Sequence, residues 1–203
     1  MRPLPPEALS GSPLDLFAPA IDVAEWMVAT FIDDAGELAN PDHAHLQQAT
    51  FGVLWTSAEQ VKAMRTVIGQ AELMPPQGMG RWQRARAVQQ VVEWFGDVPD
   101  FLVTLSAPAA SAMDDDEFCA LVEHELYHCA QALDRFGAPK FGRDGSPQWA
   151  IKGHDVEEFV GVVARYGPTD PNVVAIVEAA RCGPSIGLAQ IGRACGTCLR
   201  LVA

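Results

Sequence analysis

The chain has 203 residues, 49% of them hydrophobic, enough to bury a full core as one domain without metal or disulfide staples. Fourteen Lys and Arg against 26 Asp and Glu leave a net charge of −12, which repels nucleic-acid phosphates unless a local basic patch overrides it. Neither a signal peptide nor a membrane span is expected: Met1-Arg2-Pro3-Leu4-Pro5-Pro6 has no apolar run, and the stretch 17–32 is broken by Pro19, Asp22 and Glu25, so the pattern reads as a soluble intracellular protein.

Residues 1–40 are rich in Pro and Ala around one predicted helix over 22–32 and read as an N-terminal extension. His43 and His45 follow in a turn-like segment that reads as solvated surface. Phe51-Gly52-Val53-Leu54-Trp55-Thr56 has the composition of a strand, and Ser57-Ala58-Glu59-Gln60 has the pattern of a capping box that opens a helix. Pro75, Pro76, Gly78 and Gly80 separate that helix from the next, over 82–95, which Gly96 ends. Its basic start, Arg81-Trp82-Gln83-Arg84-Ala85-Arg86, is short and reads as a solvated helix face. A buried strand is predicted over 101–105.

Asp114, Asp115, Asp116 and Glu117 then mark the start of a helix over 116–133, where acidic groups cap free N–H groups and favour the positive end of the dipole. Phe118, Leu121, Val122, Cys129, Ala132 and Leu133 form its apolar arc; Glu125 falls inside that arc and Glu123 outside it. A carboxylate in a core-facing stripe needs a partner or a task. The loop 137–147 leads to a second amphipathic helix starting near His154, with Val156, Phe159, Val160 and Val163 at helical spacing. Helices over 171–180 and 185–193 close the chain. The five cysteines are expected as reduced thiols, Cys119 and Cys129 in the core, while Cys195-Gly196-Thr197-Cys198 with Cys182 could hold a second, structural metal.

The chemistry concentrates in His124-Glu125-Leu126-Tyr127-His128. Side chains four apart share one helix face, so both imidazoles can reach one ion, and Glu125, about 100° round from His124, is within reach of the water such a site activates. A catalytic site needs a third protein ligand. His154 is the first candidate, followed by Glu157 and Glu158, and Asp155 is either a helix cap or a carboxylate orienting a ligand imidazole.

Phe101-Leu102-Val103-Thr104-Leu105, Ala120-Leu121-Val122-Glu123-His124-Glu125-Leu126-Tyr127-His128-Cys129 and His154-Asp155-Val156-Glu157-Glu158-Phe159 ahead of Arg165-Tyr166-Gly167 resemble the phage metallopeptidases of transposable, Mu-like phages and prophages. The likeness spans about 41–167, and the pairing of its two helical motifs is more specific than the five-residue motif alone. It implies an α+β, zincin-like metallopeptidase domain over 41–170, mostly helical with a small sheet beside the active-site helix, followed by a C-terminal helical segment over 171–203. The metal ligands carry onto His124 and His128 and the general base onto Glu125, with Zn2+ as cofactor and a protein or peptide as substrate in the host cell cytoplasm. In such folds the strand at 101–105 borders the cleft and binds extended substrate along its edge. Arg165 and Tyr166 are candidate oxyanion donors. A more distant likeness, to SprT-like proteases and to peptidases that degrade phage-type repressors, suggests two biological roles. Two further readings stay open: a non-catalytic or vestigial metal-binding interaction protein, favoured by a closed set of His124, His128, His154 and Glu158, and a DNA-associated protease, against which the acidic charge counts.

Overall fold

The computed structural model describes residues 2–10, 13–62, 64–156, 160–168, 170–186 and 194–195. In chain order its elements are α1 (Glu7–Ser10), β1 (Phe17–Pro19), α2 (Ile21–Met27) continued by a π-helical turn (Val28–Ile32), a 3-10 segment (Pro41–Gln48), β2 (Phe51–Thr56), β3 (Gln60–Lys62), β4 (Arg65–Leu73), α3 (Arg81–Phe95), β5 (Phe101–Ser106), α4 (Ala107–Ser111), α5 (Asp115–His128), β6 (Cys129–Gln131), β7 (Trp149–Ile151), α6 (Val160–Tyr166), α7 (Pro171–Cys182) and β8 (Ala194–Cys195). This is the expected α+β class. Strands run in the order β1-β2-β5-β4-β3, with β8 also beside β4. β2 and β5 pair in parallel, and β5 with β4 antiparallel.

Side chains of successive strand residues point to opposite faces, and the two faces bury different helices. Val53, Trp55, Phe101, Val103 and Leu105 enter the main core with Val23 and Met27 of α2 and Phe118, Leu121, Val122 and Leu126 of α5. The alternate residues Leu54 and Leu102 pack with Met74 against Val91, Trp94 and Phe95 of α3. Helix α3 ends where expected: Gly96 adopts φ 82° and its N–H reaches the Val92 carbonyl at 2.8 Å. Helix α5 starts as the acidic run predicts. Asp114 Oδ1 accepts from the Glu117 N–H at 2.8 Å, and Glu117 Oε2 accepts from the Asp114 N–H at 3.2 Å.

Four expectations are corrected. The helix foreseen from Ser57 is the β3–β4 hairpin, because Ser57 Oγ is engaged with the N-terminal segment instead of capping a helix. It donates to the Leu14 carbonyl at 2.6 Å and accepts from the Leu16 N–H at 3.0 Å, while the β-branched run Thr66-Val67-Ile68 pairs into the sheet. Helix α5 stops at His128: Cys129 turns to φ −80°, ψ 112° and continues as β6 against β7, leaving Leu133 exposed. β5 is not a sheet edge, since β2 and β4 flank it on both sides. Residues 1–40 are no appendage: Leu9, Ala20, Val23, Met27, Phe31 and Ile32 are buried in the main core. The helix expected over 185–193 falls outside the described residues from position 187, as does Cys198. Among the described residues no helix is long and apolar enough to cross a membrane.

Arg2 ties the N-terminus to the start of α5. Its Nε donates to Asp115 Oδ1 at 2.9 Å, its Nη1 to the Ala110 carbonyl at 3.2 Å and its Nη2 to the Met113 carbonyl, and the guanidinium lies 4.7 Å from the centre of the Phe118 ring. Arg2→Ala removes the ion pair, both carbonyl contacts and the packing on Phe118, and should lower the unfolding free energy by about 2–3 kcal/mol in urea denaturation. Wild-type stability in that variant would place the N-terminus outside the cooperative unit.

Candidate metal centre

Helix α5 carries the two histidines on one face, as the spacing requires, with Glu125 one residue on and turned into the core. His128 is 2% exposed and Glu125 is fully buried, while His124 is half-buried. Burying a carboxylate is costly, and the four apolar side chains Phe118, Leu121, Val122 and Leu126, each contributing about 1.5–3 kcal/mol, hold the helix in place against that cost.

His154 arrives by a different route from the one its sequence suggests. The described part of the second helix begins only at Val160, and His154 precedes it in a loop just past β7. Because β6 follows α5 without a break and pairs antiparallel with β7, Cys129 opposite Ile151, the chain returns to the C-terminal end of α5. There the Lys152 N–H donates to the His128 carbonyl at 2.9 Å, and His128 Nδ1 donates to the Lys152 carbonyl at 2.7 Å. Two residues later His154 faces the pair, exposed on its outer side.

His124 Nε2 lies 3.3 Å from His128 Nε2 and 3.3 Å from His154 Nε2, and one ring nitrogen from each of the three histidines falls within 4.8 Å of the others. A carbonyl only accepts, so the Lys152 contact places the His128 proton on Nδ1 and leaves a lone pair on Nε2 aimed at the cluster. One N–H on His124 serves one of its two neighbours at a time; a cation at the centre serves all three. Tetrahedral coordination with bonds of roughly 2.0–2.1 Å separates ligand nitrogens by about 3.3–3.4 Å, which the observed 3.3 Å spacings match. The three imidazoles therefore fit a metal ion. Among the described residues no carboxylate joins the cluster, and Glu157 and Glu158 lie outside them. Asp155 Oδ1 pairs with Lys152 Nζ, 2.8 Å away. The oxyanion candidates Arg165 and Tyr166 sit exposed at the end of α6, Arg165 over the Tyr166 ring.

A polar belt on another face of α5 was not legible as part of the site. His43, expected at the surface, is fully buried against the Tyr127 ring, with Nε2 3.7 Å from Glu123 Oε1. The 3-10 segment turns His43 and Leu46, three residues apart, inward together. Asn40 Nδ2 donates to Glu123 Oε1 at 2.7 Å and to Tyr127 Oη at 3.0 Å, and Tyr127 Oη donates to Asp42 Oδ2 at 3.0 Å. The neighbouring His43 and the Asn40 bond hold the Glu123 carboxyl below the usual carboxylate range, against the opposing effect of burial. His45 is exposed, as expected, yet its Nε2 meets the Cys129 carbonyl at 3.1 Å, just past the end of the helix. Cys129 itself is a core thiol, pushed well up by burial and by Glu125. Cys119 is half-buried and Cys182 exposed.

A family described as "Putative phage metallopeptidase" matches residues 24–181, well over half of the chain. No curated protein and no solved structure matches it.

Asn40 both caps the 3-10 segment, its Oδ1 accepting from the Asp42 N–H at 3.0 Å, and bridges that segment to α5. Asn40→Ala should cost about 1–3 kcal/mol of stability in chemical denaturation, more than loss of the cap alone. A loss confined to a few tenths of a kcal/mol would show that the belt does not brace the helix.

Proposed function

The chain belongs to the phage metallopeptidase family, and from that membership we propose that it is a zinc-dependent, zincin-like peptidase in which His124, His128 and His154 hold the metal and Glu125 is the general base. The observation that carries the reading is the convergence of three imidazole nitrogens around a His128 whose proton is fixed on the far side of its ring. Imidazole nitrogens at tetrahedral spacing suit zinc, and three protein ligands leave a coordination position open to the reaction. When bound, the metal supplies Lewis acidity, polarising the scissile carbonyl and bringing water towards a pKa of about 7.

The chain's own groups do the rest. The Lys152 carbonyl fixes the orientation and tautomer of His128 and raises its basicity as a ligand. The Glu125 carboxylate takes the proton of the attacking water as its oxygen adds to the peptide carbonyl carbon, then delivers that proton to the nitrogen as the C–N bond breaks. The gradient from buried His128 through half-buried His124 to exposed His154 opens the cluster to solvent on one side, where a protein or peptide substrate can approach. The family assignment suggests a phage- or prophage-encoded enzyme at work in the host cytoplasm, and the net charge of −12 favours a protein substrate over nucleic acid.

Elemental mass spectrometry of the purified protein should find one zinc per chain, kept in Glu125→Gln and in Cys195→Ser/Cys198→Ser and lost in His154→Ala. Glu125→Gln should reduce peptide hydrolysis by about 10²–10⁴-fold. A metal-free wild type, or wild-type turnover in Glu125→Gln, would sink the proposal.

A further inference from the structure

Gly69 stands in the middle of β4, where a glycine weakens a strand and a β-branched residue would pack better. Its backbone does not demand it, because Gly69 is not among the glycines with positive φ. Strand pairing also leaves the backbone little room to retreat: Gly69 stands opposite Leu105 of β5 on one side and Cys195 of β8 on the other. What excludes a side chain is the space above it. A Cβ at Gly69 would lie 2.5 Å from Glu125 Oε1, 3.1 Å from Glu125 Cδ and 3.0 Å from Leu121 Cδ1. Glu125 is fully buried and Leu121 is 2% exposed, so neither moves aside into solvent. Gly52 on β2 is a different case: there a Cβ would meet Phe95, Leu102 and Pro99 at 3.0–3.1 Å, a packing contact with no polar group in it.

We infer that Gly69 is a positioning residue for Glu125: its missing side chain is the space in which the buried carboxylate lies, between α5 and β4. The catalytic consequence rests on the peptidase reading; the contact itself does not. An alanine forces a 2.5 Å contact to open by about 1 Å towards ordinary van der Waals separation. The mobile end of that contact is the carboxylate, since β4 is paired on both sides. A displacement of that size at a reacting group costs about 100-fold in rate.

The test is a double-mutant cycle on the full chain, with Tm, zinc content and peptide turnover read on the same preparations. Gly69→Ala should lower Tm by roughly 2–10 °C, and in a Glu125→Ala background, where the closest contact is vacated and only the one with Leu121 remains, the same change should lower it by clearly less. Gly52→Ala should lower Tm equally in both backgrounds. Gly69→Ala should keep its zinc and lose about 100-fold in kcat at nearly constant KM. If Gly69→Ala alone does not fold, recovery of a cooperative transition in Gly69→Ala/Glu125→Ala supports the assignment by the same logic. Equal Tm losses for Gly69→Ala in the two backgrounds overturn the contact, and wild-type kcat in Gly69→Ala overturns the positioning role. A chain that hydrolyses no peptide fails as a peptidase while the thermal cycle still decides whether Gly69 makes room for Glu125.

Discussion

His128 ends a helix, Cys129 begins a strand, and the arrangement of the site depends on how Lys152 meets His128 at that junction. The Lys152 N–H bonds the His128 carbonyl at 2.9 Å, and the Lys152 carbonyl receives the proton of His128 Nδ1 at 2.7 Å. The first bond belongs to the backbone pairing that returns the chain after β7; the second uses the same peptide neighbourhood to set a ring orientation and a tautomer. Register and side-chain chemistry are thereby locked together. A slip of one residue in the β6–β7 ladder would invert every side chain of the returning strand and carry His154 away from the cluster.

Such a lock matters because the cluster works against its own stability. Three imidazole nitrogens held 3.3 Å apart in two of their contacts, beside a fully buried carboxylate, represent polar groups that a core would exclude if packing alone decided its composition. The surrounding structure overcomes that cost from several sides. Apolar residues of α5 are sunk in the main core, and Asn40, Asp42 and His43 grip the helix through Glu123 and Tyr127. His45 meets the first carbonyl beyond the helix, and Arg2 holds its start. Placing stable scaffolding around a locally unfavourable arrangement is the usual signature of a site kept for function.

What the sequence disclosed follows from which forces are local. Helical spacing alone puts His124 and His128 on one face, the acidic run marks where α5 begins, Gly96 marks where α3 ends, and composition identifies β2 and β5. Each of these depends on residues within a few positions. The failures all involve distant partners. Ser57 has the pattern of a helix cap and is taken up by Leu14 and Leu16, some forty residues earlier. Residues 129–133 extend a plausible helical arc, yet 129–131 pair with 149–151. His43 looks solvated until the 3-10 segment folds it under Tyr127. His154 lies beside the pair but not on the helix its spacing suggests, because its position comes from a ladder and not from a helical period. Gly69 carries a signal in the sequence, a glycine directly after the β-branched run Thr66-Val67-Ile68 and before the end of the same strand, which is the mark of a close approach.

The two ends of the site are carried by different kinds of element, and that difference bears on how the site responds to a metal. His124, Glu125 and His128 share a capped helix anchored in the core. Among the described residues the segment with His154 is tied at one end by the two Lys152–His128 bonds, by a Lys152–Asp155 ion pair, both side chains about half-exposed or more and so worth at most about 1 kcal/mol, and by a bond from Asn172 Nδ2 to the Asp155 carbonyl at 3.2 Å. On the proposed reading, two ligands sit on a helix anchored in the core and the third on an exposed loop that follows β7. A coordination bond to His154 would join that loop to the helix, so metal affinity and the local stability of residues 152–156 are coupled quantities. Substitutions in the loop that never touch the ion would shift affinity through that coupling, whereas substitutions in the core of α5 would act on the fold as a whole.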